Sequence, residues 1–207
     1  MKIFPSLIAK NQKELNERFN KVKNISNEFH LDVMDGRFVK NKSLQFNFKL
    51  PKTKKYSAHL MIKNHKSWIK KNLNKIDLVI IHIETVDHDE LLDIIEITKK
   101  RKKKIGIAIN PKTDIKKIIP YINKVNIILI MTVVPGKYGS KFQSSTINKI
   151  RKLRAFKSKS QIWVDGGIND KTISKVKRAG ANSAAVGSFI MNSDNPKKSI
   201  KILKGKL

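Results

Sequence analysis

Along the chain, short runs of β-branched and other apolar residues alternate with longer stretches whose apolar positions recur three and four residues apart. A continuous apolar run suits a strand covered on both faces, whereas the three-and-four spacing suits a helix with one buried stripe. Strands are expected at Ile3 to Ile8, Glu28 to Met34, Tyr56 to Ile62, Leu78 to Ile83, Lys104 to Ile109, Asn126 to Val133, Gln161 to Val164 and Ser183 to Val186. Helices are expected at Gln12 to Val22, Leu91 to Arg101, Ser145 to Phe156 and Lys171 to Ala179. Asn169 and Asp170 are candidate caps for the last of these, and Gly180 closes it.

This rhythm is the signature of repeated βα units around a parallel sheet, and no linker interrupts it. One domain spanning residues 1–207 is expected, of the α/β class, built as a small (β/α)8 TIM barrel. An open doubly wound sheet is the alternative. It usually carries a glycine-rich phosphate loop after its first strand, where this chain reads Pro5-Ser6-Leu7-Ile8-Ala9-Lys10-Asn11.

Charge changes the picture only in part. The 207 residues hold 45 Lys plus Arg against 16 Asp plus Glu, a net +29. The cations recur in nearly every polar stretch (Lys52 to Lys55, Lys99 to Lys104, Lys197 to Lys206) instead of gathering on one element, so a solvated surface is expected and nucleic acid is not the expected partner. The same field attracts small anionic substrates. Absence of cysteine excludes disulfides, thiolate metal sites and thiol nucleophiles. The longest apolar run, Ile127 to Val134, is far short of the roughly 18 residues of a membrane span, and Pro5 interrupts any signal-like start, so no membrane association and a cytoplasmic location are expected.

Reactive side chains cluster at the C-terminal ends of the expected strands, where a barrel assembles its site. In the run His30 to Gly36, alternation places His30, Asp32 and Met34 on one face, and two inward polar groups of this kind are costly unless paired or metal-bound. His59 lies near the end of the third strand and Asp165 ends the seventh. Each alone suits a structural role. Together, two imidazoles and two carboxylates at one barrel mouth suit one divalent metal such as Zn, Fe, Mn or Co. Gly166-Gly167 and Gly187-Ser188 follow the last two strands, where backbone N–H groups commonly hold a phosphate. Pro135-Gly136 and Gly139 could form a flap over it, and Met34, Met61 and Met131 fill strand ends either as core or as a water-poor lining.

Pro5-Ser6, the run His30 to Val39, His59-Leu60-Met61, His82-Ile83-Glu84, Met131-Thr132-Val133, Val164 to Ile168 and Gly187-Ser188 together resemble the ribulose-phosphate 3-epimerase family, collinearly and over nearly the whole chain. The resemblance implies an isomerase of the pentose phosphate pathway that interconverts D-ribulose 5-phosphate and D-xylulose 5-phosphate. It implies that His30, Asp32, His59 and Asp165 hold the metal, that Asp32 and Asp165 are the catalytic base and acid on opposite faces of the sugar, and that the enediolate between the two half-reactions is stabilised by the metal. It also implies substrate contacts from Ser6, His59, Met34, Met61, Met131, Gly136, Gly139, Gly166, Gly167, Gly187 and Ser188, and a homo-oligomer.

Departures from the family pattern fall on loops. Lys40 stands where proline is usual, Asn11 where aspartate is common, and the flap reads Val134-Pro135-Gly136-Lys137-Tyr138-Gly139-Ser140-Lys141. They bear on sugar specificity and closure rate. The alternatives are an epimerase of a related ketose phosphate such as D-allulose 6-phosphate, and a non-catalytic basic barrel that binds phosphorylated ligands or nucleic acid.

Overall fold

A computed structural model describes residues 1–136, 139–156 and 158–207. Eight strands form the barrel: β1 (Lys2–Leu7), β2 (Glu28–Asp35), β3 (Lys55–Met61), β4 (Leu78–His82), β5 (Lys104–Ile109), β6 (Ile127–Met131), β7 (Gln161–Asp165) and β8 (Ser183–Val186). Each is parallel to its barrel neighbours, and β1 pairs with both β8 and β2, which closes the sheet and excludes the open doubly wound alternative. The expected strand over 126–133 is shorter at both ends. The Asn126 side chain accepts the Ile105 N–H at the barrel floor, and Thr132 turns away to donate its N–H to the Asp165 carbonyl.

The helices are α1 (Gln12–Val22), α2 (His65–Asn72), α3 (His88–Lys100), α4 (Thr146–Ala155), α5 (Ile173–Ala179), α6 (Ser188–Met191) and α7 (Pro196–Gly205). In α1 the buried stripe is Leu15, Phe19 and Val22, at the predicted spacing. Its start is fixed reciprocally: Asn11 Oδ1 accepts the Glu14 N–H at 2.9 Å while Glu14 Oε2 accepts the Lys10 N–H at 2.8 Å. Asn11 therefore performs the capping that an aspartate would. The caps expected for α5 are displaced. The helix begins at Ile173 behind Thr172, and Asn169 instead accepts the Lys171 N–H in the preceding turn, because the Thr172 hydroxyl is tied to the Gly167 carbonyl. Gly180 ends α5 in the left-handed conformation, as predicted.

Two crossovers contain no α-helix. Between β2 and β3 the chain makes a short antiparallel strand, Lys42–Ser43, then buries Leu44 and Phe48 against the sheet. Between β5 and β6 it makes a 3-10 helix, Ile115–Tyr121, whose Pro120 has no N–H for an α-helical ladder.

Inside the barrel, Phe4, Leu78, Ile80, Leu129 and Trp163 form a separate apolar cluster, with the Phe4 and Trp163 rings 4.5 Å apart. Small neighbours make room: a Cβ on Gly106 would stand 3.1 Å from the Ile127 carbonyl. This apolar plug leaves the polar inward residues of β2, β3 and β7 toward the C-terminal mouth. Among the described residues no helix is long and apolar enough to cross a membrane.

Candidate active site and metal centre

Strand pairing explains how residues distant in sequence converge. In the β2–β3 register His30 pairs with Ser57 and Asp32 with His59, while Asp165 ends β7 between Met131 and Ala185. The four predicted ligands are all buried, and one donor atom from each lies within 4.8 Å of the others. His59 Nδ1 is 3.2 Å from Asp32 Oδ1 and 3.4 Å from Asp165 Oδ2; His30 Nε2 is 3.5 Å from Asp32 Oδ1 and 3.9 Å from Asp165 Oδ2.

The hydrogen bonds behind the imidazoles leave their lone pairs facing this cluster. Ser57 donates to the Phe29 carbonyl, so its oxygen accepts from His30 Nδ1 at 2.9 Å and the lone pair of a neutral His30 sits on Nε2. That Nε2 is buried without a hydrogen-bond partner among the described residues. A buried polar atom left so costs about 1–3 kcal/mol unless another ligand takes it up. Two imidazole nitrogens and two carboxylates suit a divalent first-row ion, and the residues present fit such a group.

Charge at the cluster runs the same way. Burial alone would lower His59, but hydrogen bonds and charge from Asp165 and Asp32 outweigh it and hold the imidazole at about 9. Two carboxylates at one point thus demand positive charge there. Burial pushes His30 down, against the pull of Asp32 and Asp165. Burial opposes ionisation of Asp32, yet the His59 hydrogen bond, the nearby imidazoles and the Ser6 hydroxyl, which donates to Oδ2, keep it below the usual carboxylate range. Asp32 is therefore an ionised acceptor.

Above the cluster is a cavity of about 110 Å³. Asp32 and Asp165 reach it, and so do ten of the expected contacts: Ser6, Met34, Met61, Met131, Gly136, Gly139, Gly166, Gly167, Gly187 and Ser188. His59, wholly buried, lies beneath and does not line it. Gly166 has φ +106°, and a Cβ there would stand 2.3 Å from Val133 Cγ2, so only glycine lets the loop pass. Of the flap over 134–141, Lys137 and Tyr138 lie outside the described residues. Gly136 packs against Val39 of the loop after β2, and its carbonyl accepts from Asn41 Nδ2.

Asn41 and Ser140 line the cavity and were not expected from the sequence; Asn41 sits beside the unusual Lys40, itself exposed. His82 and Glu84 stand behind His59: His82 Nε2 is 2.8 Å from His59 Nε2, and His82 Nδ1 is 3.0 Å from Glu84 Oε2. Only their place in the resemblance marked them.

The model of the ribulose-phosphate 3-epimerase family matches residues 2–191. The chain is 31% identical over 220 residues to the ribulose-phosphate 3-epimerase of Bacillus subtilis, covering 99% of each. It is 32% identical over 214 residues to that of Methanocaldococcus jannaschii (99% of this chain, 90% of the relative) and 28% over 212 residues to that of Schizosaccharomyces pombe (98% and 92%). Among solved structures, a 3-hexulose-6-phosphate synthase superposes with a TM-score of 0.74 at 15% identity over 100% of both chains, and a KGPDC from Streptococcus mutans with 0.68 at 13% over 99% of this chain and 95% of that one; these likenesses bear on the fold alone. Sequence likeness across nearly the full length makes the chain a member of the ribulose-phosphate 3-epimerase family.

Proposed function

We propose that the chain is a metal-dependent epimerase that inverts C3 of D-ribulose 5-phosphate to give D-xylulose 5-phosphate, with Asp32 and Asp165 exchanging the proton. The convergence of two carboxylates and two imidazoles at the floor of one cavity carries this reading.

A C–H beside a ketone is roughly 15 pKa units less acidic than a carboxylic acid, a gap on the order of 20 kcal/mol, so an aspartate needs help to remove that proton. A divalent ion held by His30, Asp32, His59 and Asp165 would supply positive charge where negative charge develops on the sugar oxygens. Asp32, kept ionised, takes the C3 proton. Its Oδ1 faces the imidazoles, and its Oδ2 accepts from Ser6 at the cavity wall, which fixes the carboxylate plane. Asp165, which must enter this half-cycle protonated, gives its own proton to C3 from the other face, and the turnover ends with the abstracted proton on Asp32. Strand order supports this assignment: β7 is separated from β2 by β8 and β1, so the two carboxyl groups come from different sides of the barrel. Inversion follows from the use of two faces.

The phosphate would lie on the backbone N–H groups around Gly166, Gly167, Gly187 and Ser188, at the loops after β7 and β8. Met34, Met61 and Met131, all buried, line the cavity and keep water from the reacting carbons. The test is turnover of D-ribulose 5-phosphate by purified protein of measured metal content, beside D-allulose 6-phosphate. Preference for the pentose is expected. Faster turnover of the hexose would reassign the substrate, and turnover of neither would overturn the reading.

A further inference from the structure

Glu84 and His82 have no part in the chemistry so far described, yet they end in a direct contact with a candidate metal ligand. Glu84 lies in a 3-10 turn, Ile83–Thr85, two residues beyond His82 at the end of β4. Its Oε1 accepts the Asn110 N–H at 2.8 Å and the Thr113 hydroxyl, and Lys149 of α4 donates to the carbonyls of both those residues. Its Oε2 is 3.0 Å from His82 Nδ1. His82 is wholly buried, with Phe38 over its ring at 4.8 Å between centroids, and its carbonyl accepts from Thr85. Its Nε2 is 2.8 Å from His59 Nε2.

Proton bookkeeping along this line has one solution for neutral imidazoles. An ionised carboxylate only accepts, so His82 Nδ1 carries the hydrogen and His82 Nε2 the lone pair. Two nitrogens 2.8 Å apart need a hydrogen between them, and His59 Nε2 must supply it. The lone pair of His59 then falls on Nδ1, the nitrogen facing Asp32 and Asp165. Without this line, a neutral His59 is free to carry its hydrogen on Nδ1 and donate it to a carboxylate, which would occupy the position a cation needs.

We propose that Glu84 and His82 are positioning residues that fix the His59 tautomer, so that Nδ1 presents its lone pair to the metal site. The proposal rests on the reading of His59 as a ligand. Outer partners of metal-bound histidines typically contribute about 10–100-fold in affinity.

Glu84→Gln makes the sharpest test. Asn110 N–H and the Thr113 hydroxyl both donate to the Oε1 position, so they hold the amide oxygen there and turn the amide NH2 toward His82. His82 Nδ1 must then accept, its hydrogen moves to Nε2, and His59 is forced to carry its own on Nδ1. Side-chain 15N NMR of the metal-free protein at pH 10, where His59 is neutral, reads His82 directly, and competition with a chromogenic chelator at pH 7.5 reads zinc affinity. The expected result is His82 protonated on Nδ1 in the unaltered chain and on Nε2 in E84Q, with affinity lower by about tenfold or more. His82→Gln, whose amide oxygen can accept from His59 Nε2, is expected to keep more affinity than His82→Leu at a matched urea midpoint. An unchanged His82 tautomer in E84Q, zinc affinity within about twofold of the unaltered chain, or equal loss in the two His82 variants overturns the proposal alone. If the unaltered chain takes up no zinc, the metal reading falls first and the proposal with it.

Discussion

Asp32 and Asp165 reach the same nitrogen. Oδ1 of one lies 3.2 Å and Oδ2 of the other 3.4 Å from His59 Nδ1, although β2 and β7 are separated by two strands around the barrel. One point therefore gathers two carboxyl groups carried by strands apart in the barrel, the pair that the proposed mechanism uses on the two faces of the sugar carbon.

The proposed mechanism divides the labour of the two aspartates. Asp165→Asn and Asp32→Asn are each expected to lower kcat by about 10³-fold or more, while the amide oxygen keeps a ligand atom in place. In D2O the two variants should differ. D165N is expected to wash deuterium into C3 of D-ribulose 5-phosphate without forming the xylulose isomer, and D32N to do so only from D-xylulose 5-phosphate. NMR of the recovered sugars checks this, and near-normal epimerisation by either variant removes that residue from its role.

Zinc uptake should be proton-coupled. His59 is held at about 9 by Asp165 and Asp32 against the effect of burial, so below that pH a proton must leave before Nδ1 can donate its lone pair. The apparent affinity is expected to rise about tenfold per pH unit between pH 7 and 9 and then level off. The same raised value gives the metal-free chain a stabilising contribution that is complete below about 6.5 and lost as pH rises through about 9. Chelator competition across that range measures the first effect. A flat profile would place the proton elsewhere.

Much of this was legible in the chain because period-two alternation and strand order are themselves geometric statements. His30 and Asp32 share a face of β2 by alternation, and the alternation of strands with helices requires a parallel sheet, so the barrel and its candidate ligand quartet could be read together. Residues that act through contacts across a loop could not. Asn41 enters the site with its side chain donating to the Gly136 carbonyl, 95 residues away in sequence, beside the packing of Gly136 on Val39. The cap of α5 falls at Thr172, three residues past Asn169 and two past Asp170, because a threonine hydroxyl bound to the Gly167 carbonyl prevails over the cap preference of Asn169. The non-helical crossover after β2 depends on Leu44 and Phe48 filling the layer a helix would occupy, and so short a run has no decisive period.

Gly166→Ala tests the wall of the proposed phosphate pocket. A methyl group there meets Val133 Cγ2 at 2.3 Å, and φ of +106° is unfavourable for alanine in itself. The two effects together should cost on the order of 2–4 kcal/mol in urea unfolding. In protein that remains folded, KM for the sugar phosphate is expected to rise more than kcat falls, because the proposed mechanism gives Gly166 and Gly167 phosphate contacts and no proton transfer. A variant of unchanged stability and KM would show that the loop does not pack as described.

Acid sensitivity should trace to buried histidines more than to surface charge. His65, at the start of α2, is wholly buried; its Nε2 is 3.1 Å from the Thr85 hydroxyl, which itself donates to the His82 carbonyl. Burial, reinforced by the positive charges of His82 and Lys63 and opposed by Asp35, pushes His65 down to about 4, and burial likewise holds His82 at about 4. Because the unfolded chain takes up these protons near 6.5 and the folded chain only near 4, each contribution is complete above about 6.5 and is lost as pH falls toward 4. Within that window each group adds a slope of about 1.4 kcal/mol per pH unit to the unfolding free energy. His65→Leu removes one of these contributions and leaves those of His82 and of His30, which burial also pushes down. Urea unfolding of the unaltered chain and of H65L at pH 7.5, 6.0 and 5.0 should therefore show the variant losing stability less steeply, by up to about 1.4 kcal/mol per pH unit, whatever its absolute stability. Equal slopes would mean that His65 is already protonated in the folded chain, paired with Glu90, whose Oε1 is 3.8 Å from its Nδ1.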